Sequence, residues 1–160
     1  MLPTVLLCGG DFENENLIEM RNTKFRGKYS PRHEWVYGDY FNNHDIGANQ
    51  DIIINHDEHN GTGQEFIVSA GSVGMFTGFH DKNGIEIYEG DVLSDWNEVD
   101  GEMVQSKMQV FWCEKVGAWK LDNSYTQDKS SGDLLSDELA GFGYEVTGDV
   151  YSGALAKEAL

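Results

Sequence analysis

VGMFTGFHDKNGIEIYEGDVL, running from Val73 to Leu93, is the stretch that decides the fold of this chain. At its centre stands Asp81-Lys82-Asn83-Gly84, flanked by apolar runs, and Asn and Gly tolerate the positive φ angles that a tight hairpin requires. A hairpin between Met75–Phe79 and Ile85–Tyr88 is therefore predicted. Past the turn, Ile85, Ile87, Val92 and Leu93 alternate with Glu86, Glu89 and Asp91 around Gly90. That is the pattern of one strand bent at a glycine, as at the corner of a small barrel. The turn and the two glycines fix strand register, so the string chiefly specifies a fold.

Working outward, short aromatic and β-branched runs broken by turn residues read as strands at Thr23–Lys28, Glu34–Phe41, Ile52–Asn55 and Glu65–Ser69, with the polar His56–Gly63 as a loop between the last two. Alternation points Phe25 inward and Lys24 and Arg26 outward, and sets Trp35 and Tyr37 on one side of their strand with Val36 on the other. Downstream, Met103–Trp112, Ala118–Leu121 and Tyr144–Tyr151 read as further strands, and Tyr125–Gly132 as an exposed loop. Asp133–Leu139 is the one helical stretch: Leu134, Leu135 and Leu139 share a face, Gly141 follows as a stop, and the helix would cap one end of a small barrel. The division expected is a lead segment over residues 1–19 (a tail or an added strand), a β-rich N-terminal part over 20–71, a barrel over 72–152 and a tail over 153–160.

Composition agrees with one compact unit or two small subdomains. The chain has 160 residues, of which 39% are hydrophobic before any glycine is counted, which excludes wholesale disorder. Nineteen Gly, eight Phe, seven Tyr and four Trp against two Pro favour turns and aromatic strands over long helices. Cys8 and Cys113 form neither a disulfide framework nor a CxxC motif, as expected in a reducing cytoplasm. The apolar opening Met1–Cys8 lacks a charged leading region and is too short for a secretory core. No stretch approaches the roughly 20 apolar residues of a membrane span.

Twenty-eight acids against eleven Lys and Arg give a net charge of -17, which repels phosphate backbones and anionic membranes. Neither is an expected partner. Five of the eleven cations are crowded at Arg21, Lys24, Arg26, Lys28 and Arg32. The plain reading is a charged strand edge that resists sheet-to-sheet aggregation and pairs with the acidic remainder. The functional reading is an anion site or a docking face for an acidic neighbour, including a second subunit.

The candidates for chemistry are few. His56, Asp57, Glu58 and His59, with His44 and Asp45 upstream, carry metal-ligating side chains, and a metal-assisted hydrolase around His56 and His59 is one reading. The HxxH spacing on a loop lacks the one-turn geometry of a helical HExxH, and no third ligand can be chosen. A polar loop is preferred, and no metal or cofactor is assigned. The Asp81–Gly84 string fails as a calcium loop, since Gly84 at position six puts Phe79 at one and Gly90 at twelve. There is no GxSxG, GxGxxG or Walker loop, so no catalytic residue is assigned. Trp96, Trp112 and Trp119, with Tyr88 and Tyr151, are expected in core or barrel-mouth packing, and any exposed member is a candidate for peptide or subunit recognition.

Four strings, taken in order, resemble the YopX family of phage and prophage proteins: MRNTKFRGK from Met20, EWVYGDYF from Glu34, the string from Val73 to Leu93, and YEVTGDVY from Tyr144. The resemblance covers about residues 20 to 152. It implies a mainly β protein whose C-terminal part is an SH3-like β-barrel, encoded by phages or prophages, self-associating, and without defined catalytic residues. The first nineteen residues and the ending Ser152–Leu160 depart from the family pattern. The function expected is a non-enzymatic oligomerising or protein-binding module in the bacterial cytoplasm, with itself and a host or phage protein as partners. Its expected surface draws on Trp96, Trp112, Trp119, Arg21, Lys24 and Arg26. The alternatives are an acidic imitation of DNA that sequesters a host nucleic-acid-binding protein, the hydrolase at His56 and His59, and direct nucleic-acid binding through Arg21 to Arg32.

Overall fold

The computed structural model describes residues 23–43, 49–56, 61–122 and 132–153, and it is mainly β. The first sheet has six strands: β1 Phe25–Tyr29, β2 Glu34–Asn43, β3 Gln50–His56, β4 Gly63–Val68, β5 Gly74–His80 and β6 Glu86–Tyr88, in the order β2-β3-β4-β1-β5-β6. An additional pairing of β1 with β2 turns part of this sheet back on itself. The first half of β2 pairs with β1, from Phe25↔Gly38 to Tyr29↔Glu34, and the second half pairs with β3, from Asp39↔Ile54 to Asn43↔Gln50. Gly38 stands at the changeover, where an added Cβ would run into the Ile54 carbonyl. Tyr29↔Val68 brings β4 onto β1. Ile52, Ile53 and Val68 are buried within this sheet.

The hairpin expected around Asp81–Gly84 is present, with Phe76 opposite Tyr88 and His80 opposite Glu86. Its turn is locked by one side chain. Asp81 Oδ1 accepts from the Asn83 and Ile85 amides at 2.8 and 2.9 Å, while its Oδ2 accepts from the Val146 amide at 3.0 Å. Gly90 takes φ +84°, a conformation that side-chain-bearing residues rarely adopt. Instead of one bent strand, two strands result: β6 stays in the first sheet, and the chain turns at Glu89-Gly90 into the second. Asp91 stabilises the turn by accepting from the Tyr88 amide at 2.8 Å.

The second sheet contains β7 Asp91–Val99, β8 Glu102–Cys113, β9 Ala118–Asp122, β10 Asp133–Leu134 and β11 Glu145–Asp149, in the order β10-β9-β8-β7-β11. Its core joins Leu93, Val110 and Leu121 to Ile87 of β6, to Tyr144 and to Leu135, the first residue of the helix α1 Leu135–Gly141. Leu139 packs against the same cluster. Leu134 does not: it is 39% exposed, because it pairs with Lys120 as a strand residue and the helix begins only after it. Position 72 falls in the turn between β4 and β5, and β5 lies beside β1 in the first sheet. The lead segment and most of Tyr125–Gly132 lie outside the described residues. No helix among the described residues is long and apolar enough to cross a membrane.

Candidate binding cleft between the sheets

Residues two apart on a strand share a face, so β1 and the residue before it carry Lys24, Arg26 and Lys28 on one side. Each meets a carboxylate from farther along the chain. Lys24 Nζ lies 2.8 Å from Glu86 Oε2, Arg26 Nη2 lies 2.6 Å from Asp91 Oδ1, and Lys28 Nζ lies 3.5 Å from Asp149 Oδ1. The middle pair is buried, with Arg26 5% and Asp91 1% exposed. Arg26 therefore points inward, against the outward orientation that its charge implies. A guanidinium can be taken out of water when a carboxylate and aromatic faces replace its hydration. β1 is also an interior strand with partners on both sides, so the cation stripe is not a sheet edge.

Aromatic rings from β2 and β6 complete the arrangement. The Arg26 guanidinium carbon lies 4.1 Å from the Trp35 ring centre and 5.0 Å from that of Tyr88, and the Lys28 ammonium is 5.1 Å from Trp35. Tyr37 stands 5.5 Å from Tyr88 and at the same distance from the Lys24 ammonium. Tyr151 meets Trp35 edge-on at 5.8 Å. Trp35 and Tyr37 thus share one side of β2, as alternation predicts. Arg26 Nε is buried without a hydrogen-bond partner, and its guanidinium is held by ring faces, by Asp91 and by the Glu89 carbonyl.

These groups line a cleft of about 450 Å³, within the range of ligand-binding pockets. Lys24, Arg26, Trp35 and Tyr37 form one wall. Gly84, Ile85, Glu86 and Tyr88 form the second, and Asp91, Val146, Gly148 and Asp149 the third. Every string that carries the family resemblance contributes to it. Burial pushes the Tyr88 phenol well above its ordinary range, helped by Glu86, whose carboxylate accepts its hydroxyl proton at 2.7 Å. Burial also holds the Asp91 carboxyl above the usual carboxylate value, against the pull of Arg26 and the Tyr88 amide. At Glu86, desolvation is outweighed by Lys24 and Tyr88, and its pKa is lowered. Desolvation of Asp149 is likewise outweighed by the Ser152 amide, Lys28 and the Tyr151 amide.

The other site candidates are scattered. Trp112 and Trp119 pair across β8 and β9, edge to face, with ring centres 5.0 Å apart, Trp112 being 40% exposed. Trp96 lies opposite Gln105 on the same strand β8, about 23 Å along it from Trp112 at the strand rise per residue. The three tryptophans do not share one surface. Arg21 lies outside the described residues, as do His44, Asp45, Asp57, Glu58 and His59. His56 is an exposed residue of β3 with Nε2 3.0 Å from Asp39 Oδ2. Among the described residues no group of three or more His, Cys, Asp and Glu is placed to hold a metal ion. Trp35, Tyr37 and the three carboxylates are not among the candidates the sequence offers, whereas Tyr88, expected in core or barrel-mouth packing, is buried and Tyr151 is 42% exposed. The usable signal is the period of two in Lys24-Arg26-Lys28.

A family model described as YopX protein matches residues 24–155. No curated protein sequence gives a significant match. Among solved structures, the crystal structure of protein EF1440 from Enterococcus faecalis is similar at 20% identity. The match covers 82% of this chain and 94% of that one, with a TM-score of 0.47.

Proposed function

The chain belongs to the YopX protein family, and from that premise we propose that it is a non-enzymatic protein-binding module of a phage or prophage, acting in the bacterial cytoplasm and associating with itself. In this reading β5–β9 and β11 make an SH3-like barrel with its corner at Gly90, and the cleft beside it receives a segment of another polypeptide. One observation carries the proposal: the charged groups of the cleft are engaged with one another. Lys24 holds Glu86, Arg26 holds Asp91, and Asp149 holds Lys28 and two backbone amides. A proton-transfer group must be free to change its charge, and a nucleophilic phenol needs a lowered pKa. Here the Tyr88 and Tyr151 phenols are raised, by burial first. What faces the opening is apolar and aromatic surface, with Tyr37 37% and Ile85 54% exposed, the kind of surface that anchors peptides. Imitation of DNA has less support at and beside the cleft, where Asp81, Glu86, Asp91 and Asp149 are engaged by amides or cations of the chain itself.

The test pairs affinity capture from phage-infected host cells with two folded cleft variants, Ile85→Asp and Tyr37→Ser. A polypeptide retained by the wild type and lost by both variants supports the cleft, whereas equal retention by all three contradicts it. Light scattering across micromolar concentrations is expected to give a species larger than the 17.9 kDa monomer. A monomer throughout contradicts self-association.

A further inference from the structure

The second sheet narrows to two strands at one end. The pairing of β11 with β7 reaches Ser94, and that of β9 with β8 reaches Gln109. Between them, residues 95–106 run as a two-stranded ribbon, from Asp95↔Ser106 to Val99↔Glu102, turning through Asp100 and Gly101. Register places Trp96 diagonally across from Met103 on one face and Val99 diagonally across from Val104 on the other. These four are 51, 61, 53 and 47% exposed. A two-stranded ribbon alone is marginal in water. This one shows apolar side chains on both faces and, among the described residues, no third strand along either outer edge, so its backbone is open to strand addition. It is also of one sign. Asp95, Glu98, Asp100 and Glu102 stand on it, no Lys or Arg occurs from 95 to 106, and none of the four acids is in an ion pair among the described residues.

We infer that the ribbon of residues 95–106 docks an extended basic and aliphatic segment of a different protein, which adds to it as a third strand. With its side chains alternating, the segment lays its aliphatic members on the face of Trp96 and Met103 and its lysines or arginines on the face that carries Asp95 and Glu102. Charge argues against a second copy of the chain as the occupant. Two ribbons would bring four acids against four in a chain of net charge -17, and Lys24, Arg26 and Lys28 are already held by their own carboxylates. No cleft-lining residue lies on the ribbon, so the two surfaces are separate.

The test titrates the isotope-labelled full chain with the peptide acetyl-Lys-Val-Lys-Val-Lys-Val-Lys-amide and with its counterpart carrying Glu for Lys, following backbone amide signals. The Lys peptide is expected to shift signals of residues 95–106. Its affinity is expected to fall about tenfold in about 0.5 M salt and in the double variant Glu98→Lys, Glu102→Lys, whose changes sit on exposed positions. Trp96→Ala, which keeps every charge, is also expected to weaken it. Absence of shifts at millimolar peptide, shifts confined to other regions, or equal binding of the Glu peptide overturns the inference. Shifts in 95–106 on raising the protein concentration without peptide would assign the ribbon to a second copy and overturn it as well.

Discussion

The guanidinium of Arg26 meets the carboxylate of Asp91 at 2.6 Å, and both are buried. The contact joins an interior strand of the first sheet to the turn at which the chain enters the second. It also explains why Gly90 and Asp91 follow one another. Gly90 supplies the positive φ that reverses the backbone, and Asp91 uses one oxygen on the Tyr88 amide and the other on Arg26.

Asp81 is expected to matter more than its place in a surface turn implies. Asp81→Ala removes the charged acceptor shared by three backbone amides, one of them on β11, and so unties the hairpin turn from that strand. A loss of about 2–4 kcal/mol in urea unfolding is expected. A change within about 0.5 kcal/mol would show that the hairpin holds β11 by other means.

Stability is expected to fall with acid. At Asp81, desolvation raises the carboxyl, but the Val146, Ile85 and Asn83 amides outweigh it, and the pKa ends below its ordinary 3.8. Asp149 is lowered likewise, and Glu86 lies below its ordinary 4.5. Groups depressed in the folded state stabilise it above their unfolded pKa, and this contribution is lost as pH falls through the folded value. Asp91 has the opposite sign: its raised pKa makes protonation favour the folded state as pH falls. Urea midpoints taken downward from pH about 5 should therefore decline, with a shallower decline in Asp81→Asn. An equal slope in the two proteins would contradict the assignment.

Gly90→Ala is expected to cost about 1–2 kcal/mol for the left-handed conformation alone. The added Cβ would also stand 3.3 Å from the Tyr151 ring, so Tyr151 must shift, and thermal unfolding should show the combined loss. Retention of full stability would mean that the turn at 89–90 can take another conformation.

Trp35→Ala is expected to cost about 2–3 kcal/mol, below the range for a fully buried tryptophan because the ring is half-buried. The ring covers the Arg26 guanidinium at 4.1 Å and also contacts Lys28 and Tyr151. Trp35→Phe should recover part of this loss. Chemical unfolding checks both, and a cost no larger than that of an exposed aromatic would remove Trp35 from the cation cluster.

The strands and the hairpin were legible because they rest on local chemistry. Period-two alternation marks β1 and β2, and Asn83-Gly84 marks the turn. Leu134 fits the helical period yet belongs to a two-residue strand, and only its pairing with Lys120 separates the two. Sequence alone points Arg26 outward, because a lone cation belongs in water. Its partner Asp91 and its covering rings come from other strands, and only the meeting of the two sheets reveals them. The cleft is hidden for the same reason: its lining is assembled from four strings far apart in the sequence.

A double-mutant cycle on Arg26→Met and Asp91→Leu tests most directly whether the cleft's charges are committed to holding it together. Each single variant leaves one buried charge alone and is expected to cost about 3–5 kcal/mol in urea unfolding. The double variant should be clearly more stable than the sum of the two losses predicts, with a coupling of at least about 1.5 kcal/mol. Additive losses, with coupling near zero, would contradict the account.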